Sequence, residues 1–186
     1  MKNIPALDPK VLDLVTEISK EPKVEAAMAF IKDQTEVAMQ EQIELCEIEA
    51  PTFHEEKRAA SVAERMKLYG LTDVHIDEIG NVIGIRKGTG NGPVLAIGAH
   101  MDSVFPAGTD VKVKKEGNIY RAPGIGDNCS GLRALLQVLR AMEKEDIRTV
   151  GDIWFVGTVG EEGNGDIRGS KHLCANNKLD GFVAID

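Results

Sequence analysis

The sequence predicts an α/β fold, a mixed, mostly parallel sheet flanked by helices in a three-layer α/β/α arrangement. Two observations carry this expectation. Strand-like apolar runs alternate with helix-like segments, the pattern of a sheet covered on both faces. Three of the runs are apolar throughout, as buried parallel strands are, and each ends in potential metal ligands. Residues 93–99 lead into His100-Met101-Asp102, residues 153–160 into Glu161-Glu162, and residues 181–185 into Asp186. In open α/β sheets that strand end is where ligands bind.

The elements follow in order. Residues 9–48 carry helical periodicity, with Val11, Leu14, Val15 and Ile18 on one stripe and Val24, Met28, Ile31 and Val37 on the next. Pro22 starts the second helix, since proline suits a first turn. Ala50-Pro51-Thr52 ends this region, and Thr52 with Glu55 has the form of a capping box opening a helix from about residue 53 to Tyr69, closed by Gly70. Short strands are predicted over residues 73–76, 81–86 and 94–99. Alternation over Val111–Lys114, then Glu116-Gly117-Asn118 and Ile119-Tyr120, predicts a hairpin with one wet face. Residues 131–142 form an amphipathic helix with Leu132, Leu135, Leu136, Leu139 and Met142 on its stripe. The Trp154 strand, a short helix near residues 169–176 and the Phe182 strand complete the order. Residues 1–48 are expected as a helical segment packed on a domain formed by residues 49–186.

Composition sets the bounds. At 186 residues and 42% hydrophobic, one sizeable core is expected. A net charge of −8 argues against nucleic acid or an anionic membrane as partner. Cys46, Cys129 and Cys174 are odd in number and lack CxxC spacing, which fits free thiols in a reducing compartment. Met1-Lys2-Asn3-Ile4-Pro5 leads into no apolar stretch, and none approaches 18 residues, so neither a signal peptide nor a membrane span is expected. Cytoplasm is the expected location. Lys87-Gly88-Thr89-Gly90-Asn91-Gly92 has the look of a phosphate loop but precedes a strand, so a flexible hairpin connection is expected instead.

Four elements carry chemistry. His100-x-Asp102 places an imidazole at a strand end with a carboxylate able to fix its tautomer. Asp127 lies in the glycine-rich turn before the 131–142 helix, where Asp127 or Ser130 could equally serve as a helix cap. Glu161-Glu162 ends a buried-type strand, where two solvated acids are unexpected. Asp186 is the fourth. Each has a plain structural explanation taken singly, but jointly three carboxylates and one imidazole suit Zn²⁺, with Mn²⁺ or Co²⁺ as options. Cys129 lacks a histidine partner and reads as a small buried filler rather than a nucleophile.

Gly98-Ala99-His100-Met101-Asp102, Gly126-Asp127-Asn128, Gly160-Glu161-Glu162-Gly163 and Asp186 together resemble the M20 family of co-catalytic metallopeptidases and amidohydrolases. The steps of 27 residues from His100 to Asp127, 35 to Glu162 and 24 to Asp186 match its ligand order, and Glu49-Ala50-Pro51-Thr52-Phe53 resembles its N-terminal region. The resemblance spans roughly residues 40–186. It implies two divalent metal ions, with Asp127 bridging them, His100 and Asp186 completing one, and Glu162 a ligand of the other. It implies that Asp102 orients His100, that Glu161 is the general base, and that the Asp127–Asn128 peptide is cis. The implied substrate is a small peptide or N-acyl amino acid, hydrolysed at an amide bond.

The sequence departs from the family pattern in two ways. The second metal's remaining histidine and the inserted lid domain, through which such proteins dimerise, lie in no part of residues 1–186. His54, His75 and His172 are expected to be structural or solvent-exposed. The expectation is therefore the N-terminal portion of a longer, homodimeric protein, truncated before the lid, with impaired activity alone. The alternatives are an M28-type aminopeptidase, whose loop Gly126–Gly131 somewhat resembles, and a non-catalytic fragment.

Overall fold

A computed structural model describes residues 8–186; Met1–Pro5, on which the expectation of no signal peptide rests, lie outside the described residues. Four helices come first: α1 (Pro9–Ser19), α2 (Pro22–Asp33), α3 (Thr35–Cys46) and α4 (Glu56–Leu68). Prolines occupy the first turns of α1 and α2, where no intrahelical N–H is needed. The chain breaks a second time at Gln34, which the periodicity does not signal. Gln34 is an ordinary helix residue, but its side-chain oxygen accepts a hydrogen bond from Arg140 Nη2 at 3.1 Å, a tertiary contact invisible to local pattern.

The expected capping box is not formed. α4 starts at Glu56, no side chain caps it, and Thr52 instead donates its hydroxyl to Asp102 Oδ2 at 2.9 Å. Glu55 is buried and pairs with Arg168. The stripe on α1 is also unlike its expectation, since every residue of that helix is exposed.

The main sheet has the order β1-β2-β6-β3-β7, from β1 (Asp73–Ile76), β2 (Val82–Arg86), β3 (Leu95–His100), β6 (Ile153–Thr158) and β7 (Gly181–Ala184). β3 runs parallel to both β6 and β7, while β2 is antiparallel to β1 and β6. Because β6 lies between β2 and β3, residues 87–92 cross over rather than close a hairpin. Their glycines allow that crossing: a Cβ at Gly88 or Gly92 would collide with the backbone of Val150 and Gly151. β7 is an edge strand with Val183 half exposed, not the buried strand its composition suggests. A separate hairpin, β4 (Lys114–Glu116) and β5 (Ile119–Arg121), begins three residues later than Val111. Glu47 holds the Val111–Val113 segment in a loop by accepting the Val113 N–H at 3.0 Å and pairing with Lys112.

α5 (Cys129–Lys144) lays Leu132, Leu135, Leu136 and Leu139, all fully buried, on one face of the sheet. α3 and α4 complete that layer with Leu45, Val62 and Met66, against Phe155 of β6. The other face is thinner, with Ile83, Ala96 and Val156 covered by Leu173 of α6 (Arg168–Asn176). Among the described residues no helix is long and apolar enough to cross a membrane.

Candidate metal centre

β3 and β6 run side by side in parallel, with His100 opposite Thr158, so both deliver their following residues to one edge. β7 joins them on the other flank of β3. Asp127 comes to the same edge from the turn before α5, and the peptide between Asp127 and Asn128 is cis. His100 Nε2 lies 3.0 Å from Asp127 Oδ1 and 3.5 Å from Asp186 Oδ1. His100, Asp127 and Glu162 each bring one ligand atom within 4.8 Å of the others. Asp127 and Asp186 stand largely in water, whereas the imidazole is 3% exposed.

The other ring nitrogen is held from behind. His100 Nδ1 lies 3.1 Å from the Asp102 carbonyl oxygen and 3.4 Å from its Oδ1. Asp102, fully buried, accepts the Glu161 N–H on Oδ1 at 2.9 Å and the Glu162 N–H on Oδ2 at 3.0 Å, besides the Thr52 hydroxyl. It therefore joins the imidazole to the acidic turn. Burial alone would raise its pKa, but His100 and these donors outweigh burial and hold it at about 2. For His100, burial opposes the charged form, yet the Asp102, Asp127 and Glu161 carboxylates prevail and lift its pKa to about 9. Glu162 is raised by desolvation first and then by the negative charge of Asp127. Repelling carboxylates gathered round one imidazole nitrogen, with its second nitrogen already oriented, are a donor set that a divalent cation fits.

Glu161 differs from its neighbour. Among the described residues its side chain makes no hydrogen bond or ion pair, and it is not a member of the close cluster. The other histidines lie elsewhere: His172 pairs with Glu78 at 2.9 Å, His75 is half exposed on β1, and His54 is exposed ahead of α4. Cys129 is fully buried beside Cys46; its interaction with the Cys46 thiol pulls the Cys129 thiol down to about 7 against burial, while the same interaction, with burial, pushes Cys46 up. A groove of about 330 Å³ runs past Glu162, bounded by Phe53, Val104, Phe105 and Pro106. A larger one, about 760 Å³ between α3 and α4, shares no residue with the cluster.

Several contributors escape pattern reading. Asn128, rather than Asp127 or Ser130, caps α5 by accepting the Gly131 N–H at 2.9 Å. Its amide also donates to the Ile185 carbonyl at 2.8 Å, which sets the backbone just before Asp186. Asn81 accepts the Val159 N–H and donates to the Gly169 carbonyl, joining both sides of the loop that contains the acidic pair. The only local signal for Asn128 is an asparagine directly before a helix. Asn81 gives none.

Residues 96–186 match the family described as Peptidase family M20/M25/M40. A Pyrococcus abyssi protein assigned as a LysW-lysine/LysW-ornithine hydrolase is 35% identical over 120 residues, which cover 64% of this chain and 32% of the relative. A tripeptidase of Staphylococcus aureus is 32% identical with a TM-score of 0.66, over 80% of this chain and 42% of that one. Human carnosine dipeptidase 1, 13% identical, shares the fold with a TM-score of 0.69 over 87% of this chain and 41% of its own. The chain thus spans about a third of the curated relative and about two fifths of these structures. Residues 96–186, which hold His100, Asp127, Glu161, Glu162 and Asp186, are where the chain matches peptidase family M20/M25/M40.

Proposed function

We propose that the chain is the water-activating portion of a metal-dependent hydrolase that cleaves an amide bond in small peptides or N-acyl amino acids. The observation that carries this reading is the convergence of His100, Asp127 and Glu162 around one point, with unpartnered Glu161 beside them. His100, Asp127 and Asp186 would hold one cation, and Asp127 with Glu162 a second, Zn²⁺ being the preferred ion. When bound, such cations polarise a carbonyl and lower the pKa of a water.

The chain's own residues supply the rest. Asp102 keeps His100 Nδ1 engaged, so that Nε2 faces the cluster. Glu161 takes a proton from the attacking water and returns it to the leaving amine, a task open to it because it is engaged by no other group. The groove past Glu162 gives an extended substrate a path to the cluster. Residues 49–186 are the catalytic portion in this reading, with the N-terminal helices packed on it through α2 and α3 against α5. Relatives named as a tripeptidase and as a LysW-lysine/LysW-ornithine hydrolase support a peptide or amino-acid derivative as substrate. A cytoplasmic location and dimerisation of the whole protein through a lid domain belong to the same proposal.

The test is amine release from a panel of dipeptides and N-acyl amino acids, with Zn²⁺, Mn²⁺ or Co²⁺ supplied, for this chain and for a full-length protein containing it. Glu161→Gln is expected to lower kcat by about 10²–10⁴-fold while metal content is retained. If the full-length protein releases no amine from any substrate with any of the three ions, the proposal fails.

A further inference from the structure

The turn Gly160-Glu161-Glu162 hangs by three consecutive amides, each taken by a carboxylate that is not its own. Asp102 accepts the second and third, as described. Gly160 N–H donates to Glu55 Oε1 at 3.0 Å. Glu55, 4% exposed at the start of α4, is gripped in turn by Arg168, whose Nη2 lies 2.9 and 3.0 Å from its two oxygens. Arg168 Nη1 donates to the Ile79 carbonyl at 2.9 Å, and the guanidinium sits 5.1 Å from the Phe53 ring. The Arg168 N–H closes the loop by donating to the Gly160 carbonyl at 3.0 Å. Gly160 has φ 59, and a Cβ there would collide with the Arg168 side chain, so the guanidinium lies flush against the turn.

Successive backbone N–H groups form a natural anion-binding concavity. Without other acceptors, the side chains of Glu161 and Glu162 would themselves be drawn back to those donors. We propose that Glu55 and Arg168 are positioning residues: they fill this concavity, together with Asp102, and so oblige Glu161 and Glu162 to point outward. Arg168 is the residue that fixes Glu55, because one member of a buried ion pair is costly to leave without its partner. The inference rests on the reading of Glu161 and Glu162 as site residues, but its geometry is independent of whether a cation binds.

Glu55→Gln, Arg168→Met and Arg168→Lys separate positioning from general support. Hydrogen exchange is followed at single amides in the metal-free chain. Exchange at Gly160, Glu161 and Glu162 is expected to rise about tenfold or more in Glu55→Gln and Arg168→Met, while Phe155 and Val156 in β6 change far less. Arg168→Lys, which keeps the charge but loses the fork, is expected to recover part of the protection. In a Co²⁺ titration read by visible absorption, both disruptive variants are expected to bind about 10–100-fold more weakly, the usual effect of losing a group that orients ligands. Unchanged exchange at the turn, alongside a uniform loss of protection through β6, would overturn the inference and leave the pair as packing. A wild-type chain that takes up no Co²⁺, yet whose turn amides respond as expected, would sink the metal-centre reading and leave the positioning role standing. Should Arg168→Met fail to fold, Glu55→Gln and Arg168→Lys decide the matter alone.

Discussion

Asp102 has no exposed surface and four polar partners: two backbone amides, the Thr52 hydroxyl and the His100 ring. Asparagine in its place would turn one acceptor into a donor, facing groups that themselves donate. Asp102→Asn is expected to cost about 1–3 kcal/mol in urea unfolding. The pH sign follows from its folded pKa of about 2, below the ordinary carboxylate value. Its contribution is present above about pH 4 and lost as pH falls toward 2. The metal-free chain is therefore expected to lose stability over that window, and Asp102→Asn to flatten the loss. His100 works in the opposite sense. Its pKa of about 9 gives stability that is complete below about pH 6.5 and lost as pH rises through 9. Strand-end position brought His100, Asp102, Glu161, Glu162 and Asp186 to notice, because an ionisable group next to a buried-type run is an anomaly of composition, and a glycine-rich turn before a helix did the same for Asp127. Glu55 and Asn81 stayed hidden, since their partners Arg168, Val159 and Gly169 are distant in sequence.

At the scale of elements, amphipathic pattern has two different outcomes. On α5 the stripe is the core itself: Leu132, Leu135, Leu136 and Leu139 have no exposed surface. Leu135→Ala is expected to cost about 2–5 kcal/mol, since transfer and cavity terms add. On α1 an equally regular stripe faces solvent, with Leu14 54% exposed. Leu14→Ser is expected to change stability by less than about 0.5 kcal/mol. Thermal melts of both variants check the contrast. Periodicity reports which residues share a face, and only tertiary packing decides whether that face is covered. The same logic explains the strands. β3 and β6 are enclosed by neighbours on both sides, as their continuous apolar runs suggest, but the similar run in β7 lies at the margin. Order within a sheet depends on pairings that local sequence does not encode, which is also why residues 87–92 read as a hairpin and prove to be a crossover.

Across the whole molecule, an α/β domain with its chemistry at one sheet edge was legible, whereas the arrangement that brings β6 between β2 and β3 was not. If a cation binds the folded cluster and not the unfolded chain, stability must rise with its concentration. At 100 times Kd the gain is about 2.7 kcal/mol. Zn²⁺ is accordingly expected to raise the Tm in a concentration-dependent way, with a chelator reversing the shift. The same experiment on Asp127→Asn should show a much smaller rise.

The pairing of β3 with its two neighbours also governs the order of events in folding. Leu95 lies opposite Ile153 on one side and Gly181 on the other, partners far along the chain. Such distant closures are slow to form, because the loop entropy must be overcome before any contact compensates it. Local helices such as α5 need no such wait. A refolding chain should therefore acquire helical circular dichroism well before it can bind Co²⁺. Lag between the two signals would turn the site into a clock that marks completion of the sheet.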